Sequence, residues 1–112
     1  MFHMEIEFAD KKLQKMCEDE KFANKKIGSV CLKKLKTRIS DILAAESVSE
    51  LNAGEPHPLS RKREGQYAIT ICGGLRLIFV PANNPTPLNE SNNIDWQNVT
   101  KIIIIEIVDY HD

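Results

Sequence analysis

Two stretches of this sequence carry residue types able to move protons and hold phosphate. The first runs from His57 to Val80, HPLSRKREGQYAITICGGLRLIFV. It opens on His57 and Pro58, passes a basic cluster of Arg61, Lys62 and Arg63, and keeps Arg76 beside the Gly73-Gly74 pair. The second is the end of the chain, Asp109-Tyr110-His111-Asp112. A histidine exchanges a proton near neutral pH, a neighbouring aspartate can orient it, and a tyrosine offers a stacking face and a hydroxyl. Cations at the entry of a hairpin suit a phosphate partner. A plainer reading makes Arg61 to Arg63 a solvated loop, Arg76 a strand-edge residue and the terminal trio a frayed end.

The elements that must position these residues follow from periodicity. Met4 to Phe8 alternates with period two and predicts a half-buried strand. Asp10 is a candidate N-cap for a short helix that carries Leu13, Met16 and Cys17 on one face. From about Phe22 to Ala45, Ile27, Cys31, Leu35, Ile39 and Ile42 recur at spacings of four, four, four and three, which predicts a longer helix packed on a sheet. Gly28 lies inside it at a cost of about 1 kcal/mol relative to alanine. Ser47 and Glu50 have capping-box spacing, and Pro56 and Pro58 forbid regular helix after them.

Tyr67 to Ile71 alternates, two glycines allow a tight reversal, and Leu75 to Val80 returns, so residues 66–80 predict a hairpin. Residues 81–99 hold three prolines and six asparagines and predict a long loop, anchored at its far end by Trp96. Ile102 to Val108 is apolar on both faces and predicts a strand interior to the sheet, with Ile103 and Ile105 opposite Ile102 and Ile104. The fold class is α+β, in the order β-α-α-β-β-β, with two N-terminal helices on a mainly antiparallel sheet.

Length and charge narrow the partners. A chain of 112 residues is expected to form one domain with a core that needs no disulfides. Cys17, Cys31 and Cys72 are widely spaced and form neither an even disulfide framework nor a metal-ligand pair, so they read as cytosolic, mostly buried thiols. The N-terminus lacks a signal pattern and no run approaches a membrane span, which implies a cytoplasmic protein. The net charge of −1 hides an asymmetry: residues 21–76 carry eleven bases against five acids, while both ends are acidic. That suits a polyanion or an acidic protein partner.

With HPLSRKREGQYAI leading into LRLIF and a terminal IVDYH, the sequence resembles the RelE/ParE toxin superfamily over nearly its whole length, and most of all the HigB-type, plasmid-maintenance "killer" toxins. The resemblance implies a bacterial toxin that cleaves mRNA in the ribosomal A site and is silenced by a helix-turn-helix antitoxin. It implies His57 as the loop histidine, Arg76 as the strand arginine, and Asp109, Tyr110 and His111 as the terminal catalytic cluster. No metal-ligand spacing and no phosphate-binding glycine loop occurs in the sequence, so a metal mechanism is disfavoured and no cofactor is expected. One position departs: relatives carry a lysine where this chain has Ser60, and Arg61-Lys62 replace a Gly-Asp pair.

Cleaving RNA without metal requires the 2′-hydroxyl to lose a proton while attacking phosphorus, the 5′-oxygen to gain one, and the added charge to be stabilised. His57 and His111 have the chemistry of the proton carriers, and Arg76 with Arg61, Lys62 and Arg63 that of the charge stabilisers. Two other readings stay open. One is a gyrase poison sharing the fold, against which the terminal Asp-Tyr-His counts. The other is a decayed toxin that only binds an antitoxin or RNA, for which Ser60 and the near-neutral charge count.

Overall fold

A computed structural model describes residues 3–109. The period-two run at its start forms β1 (Glu5–Phe8). Asp10 caps α1 (Lys11–Glu18): its Oδ1 accepts from the Leu13 amide at 2.8 Å, satisfying one of the first-turn donors that have no intrahelical partner. Asp19 ends α1 and caps α2 (Glu20–Ala44), accepting from the Phe22 amide at 3.1 Å. Gly28 is not a tolerated helical glycine. At φ 82° and ψ 167° it breaks and redirects α2, and since an added Cβ would meet nothing within 4 Å, it is the dihedral that calls for glycine.

The strands β2 (His57–Pro58), β3 (Tyr67–Cys72), β4 (Leu75–Pro81) and β5 (Lys101–Asp109) join β1 in one sheet of order β1-β5-β4-β3-β2. Only β1 with β5 is parallel. The expected β-α-α-β-β-β order is present, with β2 added as a two-residue edge strand. Pro58 has no amide to offer a ladder, so it fits at a sheet edge. The Ser47 and Glu50 spacing yields a single 3-10 turn, but Ser47 Oγ meets Ser49 Oγ at 3.2 Å and makes no side-chain cap.

Leu35 and Ile42 of α2 pack with Ile69, Ile71, Leu77, Phe79, Ile102 and Ile104 in the core, with Ile27 and Ile39 against its margin. The spacing of apolar residues in α2 therefore located its buried stripe. Two β-bulges alter which strand residues join that core. In β4 and β5, Ile78 pairs with Glu106 and Phe79 with Ile104, so Ile105 is the extra residue. Ile105 and Ile107 consequently line a groove with Leu13, Met16 and Ile27 on the helix side, against the expectation that Ile105 lies opposite Ile104. In β3 the register shifts between Thr70 and Cys72, so Cys72 also turns toward α2.

That second bulge corrects the reading of the cysteines as three thiols. Cys31 and Cys72 form a disulfide across a sequence separation of 41, with Cα atoms 5.6 Å apart. Strict alternation from Ala68 and Thr70 would have sent Cys72 to the other face, out of reach of α2. Cys17 is the free cysteine, and burial, with Glu18 adding, pushes its thiol up to about 12, so it stays protonated. The long loop is tied at both ends. Asn83 accepts from the Thr100 and Lys101 amides at 3.0 and 3.1 Å, and the Trp96 ring packs on Tyr67 at 4.7 Å. No helix among the described residues is long and apolar enough to cross a membrane.

Candidate active site on the open face of the sheet

The helices cover one face of the sheet, and the candidate chemistry gathers on the other. Register defines it. One cross-strand row runs His57, Ala68, Ile78, Glu106, and the next runs Thr70, Arg76, Val108. Residues two apart on a strand share a face, so these rows lie side by side, roughly 7 Å apart along the strands and about 4.8 Å from strand to strand. Ala68 and Ile78 are buried and form an apolar floor between the polar groups.

His57 is placed by a strained approach. Gly54 takes φ 85°, and a Cβ there would fall 2.7 Å from Ile69 Cγ2 and 2.9 Å from the Thr70 carbonyl, so only glycine fits. Its carbonyl accepts from the Thr70 amide at 2.7 Å, which docks the segment beside β3. Arg38, held by Asp41 at 2.9 Å, packs at the same point and donates to the Thr70 carbonyl at 3.4 Å. Three residues after Gly54, His57 Nδ1 lies 2.8 Å from the Glu55 carbonyl. A carbonyl only accepts, so Nδ1 carries the proton, and in the neutral ring the lone pair sits on Nε2. That is the tautomer a general base at Nε2 requires.

The basic cluster divides. Arg61, Lys62 and Arg63 form a 3-10 turn with Arg61 at φ 57°, and Arg61 and Lys62 are exposed. Arg63 instead reaches back across the sheet to Glu106 Oε1 at 2.8 Å, bracing on Gln66 at 2.9 Å. Arg76 Nη1 donates to the Gly73 carbonyl at 2.9 Å, so the hairpin turn braces the guanidinium of its own strand. Gly73 takes the positive φ, 56°, that the reversal needs.

Glu106 is the residue that the sequence reading missed. It is the one acid inside the apolar run Ile102 to Val108, and that anomaly was the available signal. Without the bulge, its face cannot be assigned. Asp109 is exposed and in register with Leu75, a residue of the helix-facing row. Tyr110 and His111 lie outside the described residues. Among the described residues, no group of three or more His, Cys, Asp or Glu side chains is arranged to hold a metal ion.

Neither a protein-family model nor a curated protein sequence matches the chain. Solved structures do. A YoeB/ParE toxin from Agrobacterium tumefaciens matches with a TM-score of 0.59 and 13% identity, covering 96% of this chain and 100% of that one. The YoeB-YefM complex from Staphylococcus aureus matches at 0.57 and 18% identity, over 97% and 98% of the two chains. The YoeB dimer of the same organism matches at 0.57 and 18%, over 98% and 99%. The chain therefore shares the α+β fold of these YoeB/ParE-type structures. At these identities the likeness establishes the fold that the sequence motifs implied, and the HigB-type kinship is a finer statement than it carries.

Proposed function

We propose that this chain is the toxin of a bacterial type II toxin-antitoxin pair and acts as a ribosome-dependent mRNA endoribonuclease. The observation that carries the reading is the open face, where an oriented histidine, two arginines and a glutamate border an apolar floor on adjacent strands. His57 Nε2 is suited to take the 2′-hydroxyl proton as that oxygen attacks phosphorus. Arg76, held by the hairpin turn, is suited to stabilise the charge that develops on the phosphoryl oxygens. Glu106 keeps Arg63 over the site, and Arg61 and Lys62 extend positive charge along the path of the RNA backbone. The resemblance in sequence adds His111 as the acid for the 5′-oxygen, with Asp109 and Tyr110 beside it. No step in this scheme calls for a metal or cofactor.

The partners in this reading are the ribosome with its mRNA and a helix-turn-helix antitoxin, in the cytoplasm. The solved YoeB-YefM complexes support a partner of the antitoxin kind. In a reducing cytoplasm, Cys31 and Cys72 would stand as a dithiol. A gyrase poison of the ParE kind would share the fold, but it would have no use for an oriented histidine beside two arginines. The test is to induce the protein in growing cells and map 5′ ends on a translated mRNA. Cuts at in-frame codons that vanish when translation is blocked are expected; inhibited growth with intact mRNA and broken DNA would select the gyrase poison instead.

A further inference from the structure

We infer that the cleft between the Arg61–Arg63 turn and the Asn92 to Trp96 stretch of the long loop is a nucleobase pocket that prefers guanine. Only the identity of its natural ligand, an RNA chain passing His57, rests on the nuclease reading. The cleft encloses about 490 Å³, within the range of roughly 300–1,000 Å³ that small-molecule sites occupy. Its floor is apolar and half-buried, made by Leu59, Ile94 and Trp96. Its rim is polar, made by Glu64, Asn92 and Asn93, all exposed. A flat ligand with apolar faces and a hydrogen-bonding edge matches that division, and a nucleobase has both.

Both walls are built in advance. Trp96 is packed on Tyr67, which itself stacks on Phe79 in the core at 5.3 Å and 19°, so the indole is positioned from beneath. The polar tip of the long loop is not slack: Asn89 Oδ1 accepts from the Ser91 and Asn93 amides at 2.9 and 3.1 Å, and Leu88 bridges Ile94. Opposite, the Leu59 amide donates to the Gln66 carbonyl at 2.8 Å, closing the basic turn. A site ordered before binding loses less conformational entropy when it is filled.

Position and charge select a nucleotide over other flat ligands. Pro58 lines the cleft and follows His57 on the edge strand. It pairs with Tyr67 in the row of the other face, so a base seated there lies at the sheet edge, one residue along the strand from the candidate site. Arg61 and Lys62, exposed on the same turn, supply cations for its phosphate. The carboxylate of Glu64 only accepts hydrogen bonds. Guanine presents two adjacent donors, N1–H and the N2 amine, on one edge, whereas uracil presents a single ring N–H flanked by carbonyls.

Trp96 is the only tryptophan in the chain, so its fluorescence reports the cleft without ambiguity. The experiment uses the full-length His57→Ala protein, which retains the cleft but is expected not to consume RNA. GMP, AMP and UMP are titrated to millimolar concentration with excitation at the red edge, and free tryptophan amide corrects for absorption. Saturable quenching is expected, with GMP binding about tenfold more tightly than UMP, as a paired donor-acceptor contact discriminates. Glu64→Gln should abolish that preference while leaving the quenching. No saturable quenching in a protein that unfolds at the wild-type temperature overturns the proposal, and so does quenching with no order among the bases. If mRNA is cleaved on ribosomes but nucleotides do not quench, the pocket falls and the nuclease reading stands. If nucleotides quench but nothing is cleaved, the pocket stands alone.

Discussion

The two faces of the sheet are built from the same strands and held by opposite means. On the helix side, Leu35, Ile42, Ile69, Leu77, Phe79, Ile102 and Ile104 are all buried, and their stabilisation comes from removing apolar area from water. On the open side, His57, Arg63, Arg76 and Glu106 are only partly covered and are held by directed hydrogen bonds: His57 and Arg76 donate to backbone carbonyls, and Arg63 donates to the Glu106 carboxylate. One face is placed by volume and the other by partners. The lesson is that stability and the candidate chemistry are separable here, although they alternate residue by residue along β4.

Substitutions can therefore be sorted by face. Leu35→Ala should cost about 2–5 kcal/mol in denaturant unfolding, the range for emptying a buried leucine site, with its effect on cleavage limited to the unfolded fraction. A loss within about 0.5 kcal/mol would show a surface position. Arg76→Ala should do the reverse, lowering single-turnover mRNA cleavage about 10²- to 10³-fold, as for other charge-stabilising donors, while the unfolding midpoint barely moves. The Cys31→Ser, Cys72→Ser double variant tests the tie between α2 and β3. Under oxidising conditions it should lose about 2–4 kcal/mol, given the length of loop closed, and under reducing conditions it should match the wild type.

Gly54→Ala sharpens the comparison because this residue touches both faces: its missing side chain leaves room for Ile69 of the core, and its carbonyl docks the His57 segment. About 1–3 kcal/mol of strain is expected, together with a loss of cleavage larger than the unfolded fraction explains. The smallest effect should come from the Arg63 and Glu106 pair, which is over a third exposed on both sides. A double-mutant cycle should give about 0.2–1 kcal/mol in stability.

How much of this could be read from the sequence follows the same division. The helix-side core was legible because Leu35, Ile39 and Ile42 repeat at helical spacing and Ile69 and Ile71 at strand spacing. His57 and Arg76 are singled out by their chemistry and by family motifs, and the register brings their rows side by side. What could not be read depends on the two bulges. Alternation is an argument about parity, and one extra residue inverts it. The bulge at Ile105 carries Glu106 to the open face and Ile107 to the core. The bulge after Thr70 turns Cys72 toward Cys31, so a pair 41 residues apart became a disulfide that spacing alone gave no reason to expect. Arg63 was grouped with Arg61 and Lys62 because they are contiguous, yet its partner Glu106 lies 43 positions away.

The central claim is that the open face performs the chemistry, and His57→Ala on programmed ribosomes tests it most directly. Cleavage of the A-site codon is followed in a single turnover beside the thermal unfolding of the same protein. Removing a positioned proton carrier should slow cleavage about 10²- to 10⁴-fold, with the unfolding midpoint and the affinity for the ribosome retained. A folded His57→Ala protein that cleaves at the wild-type rate would contradict the account.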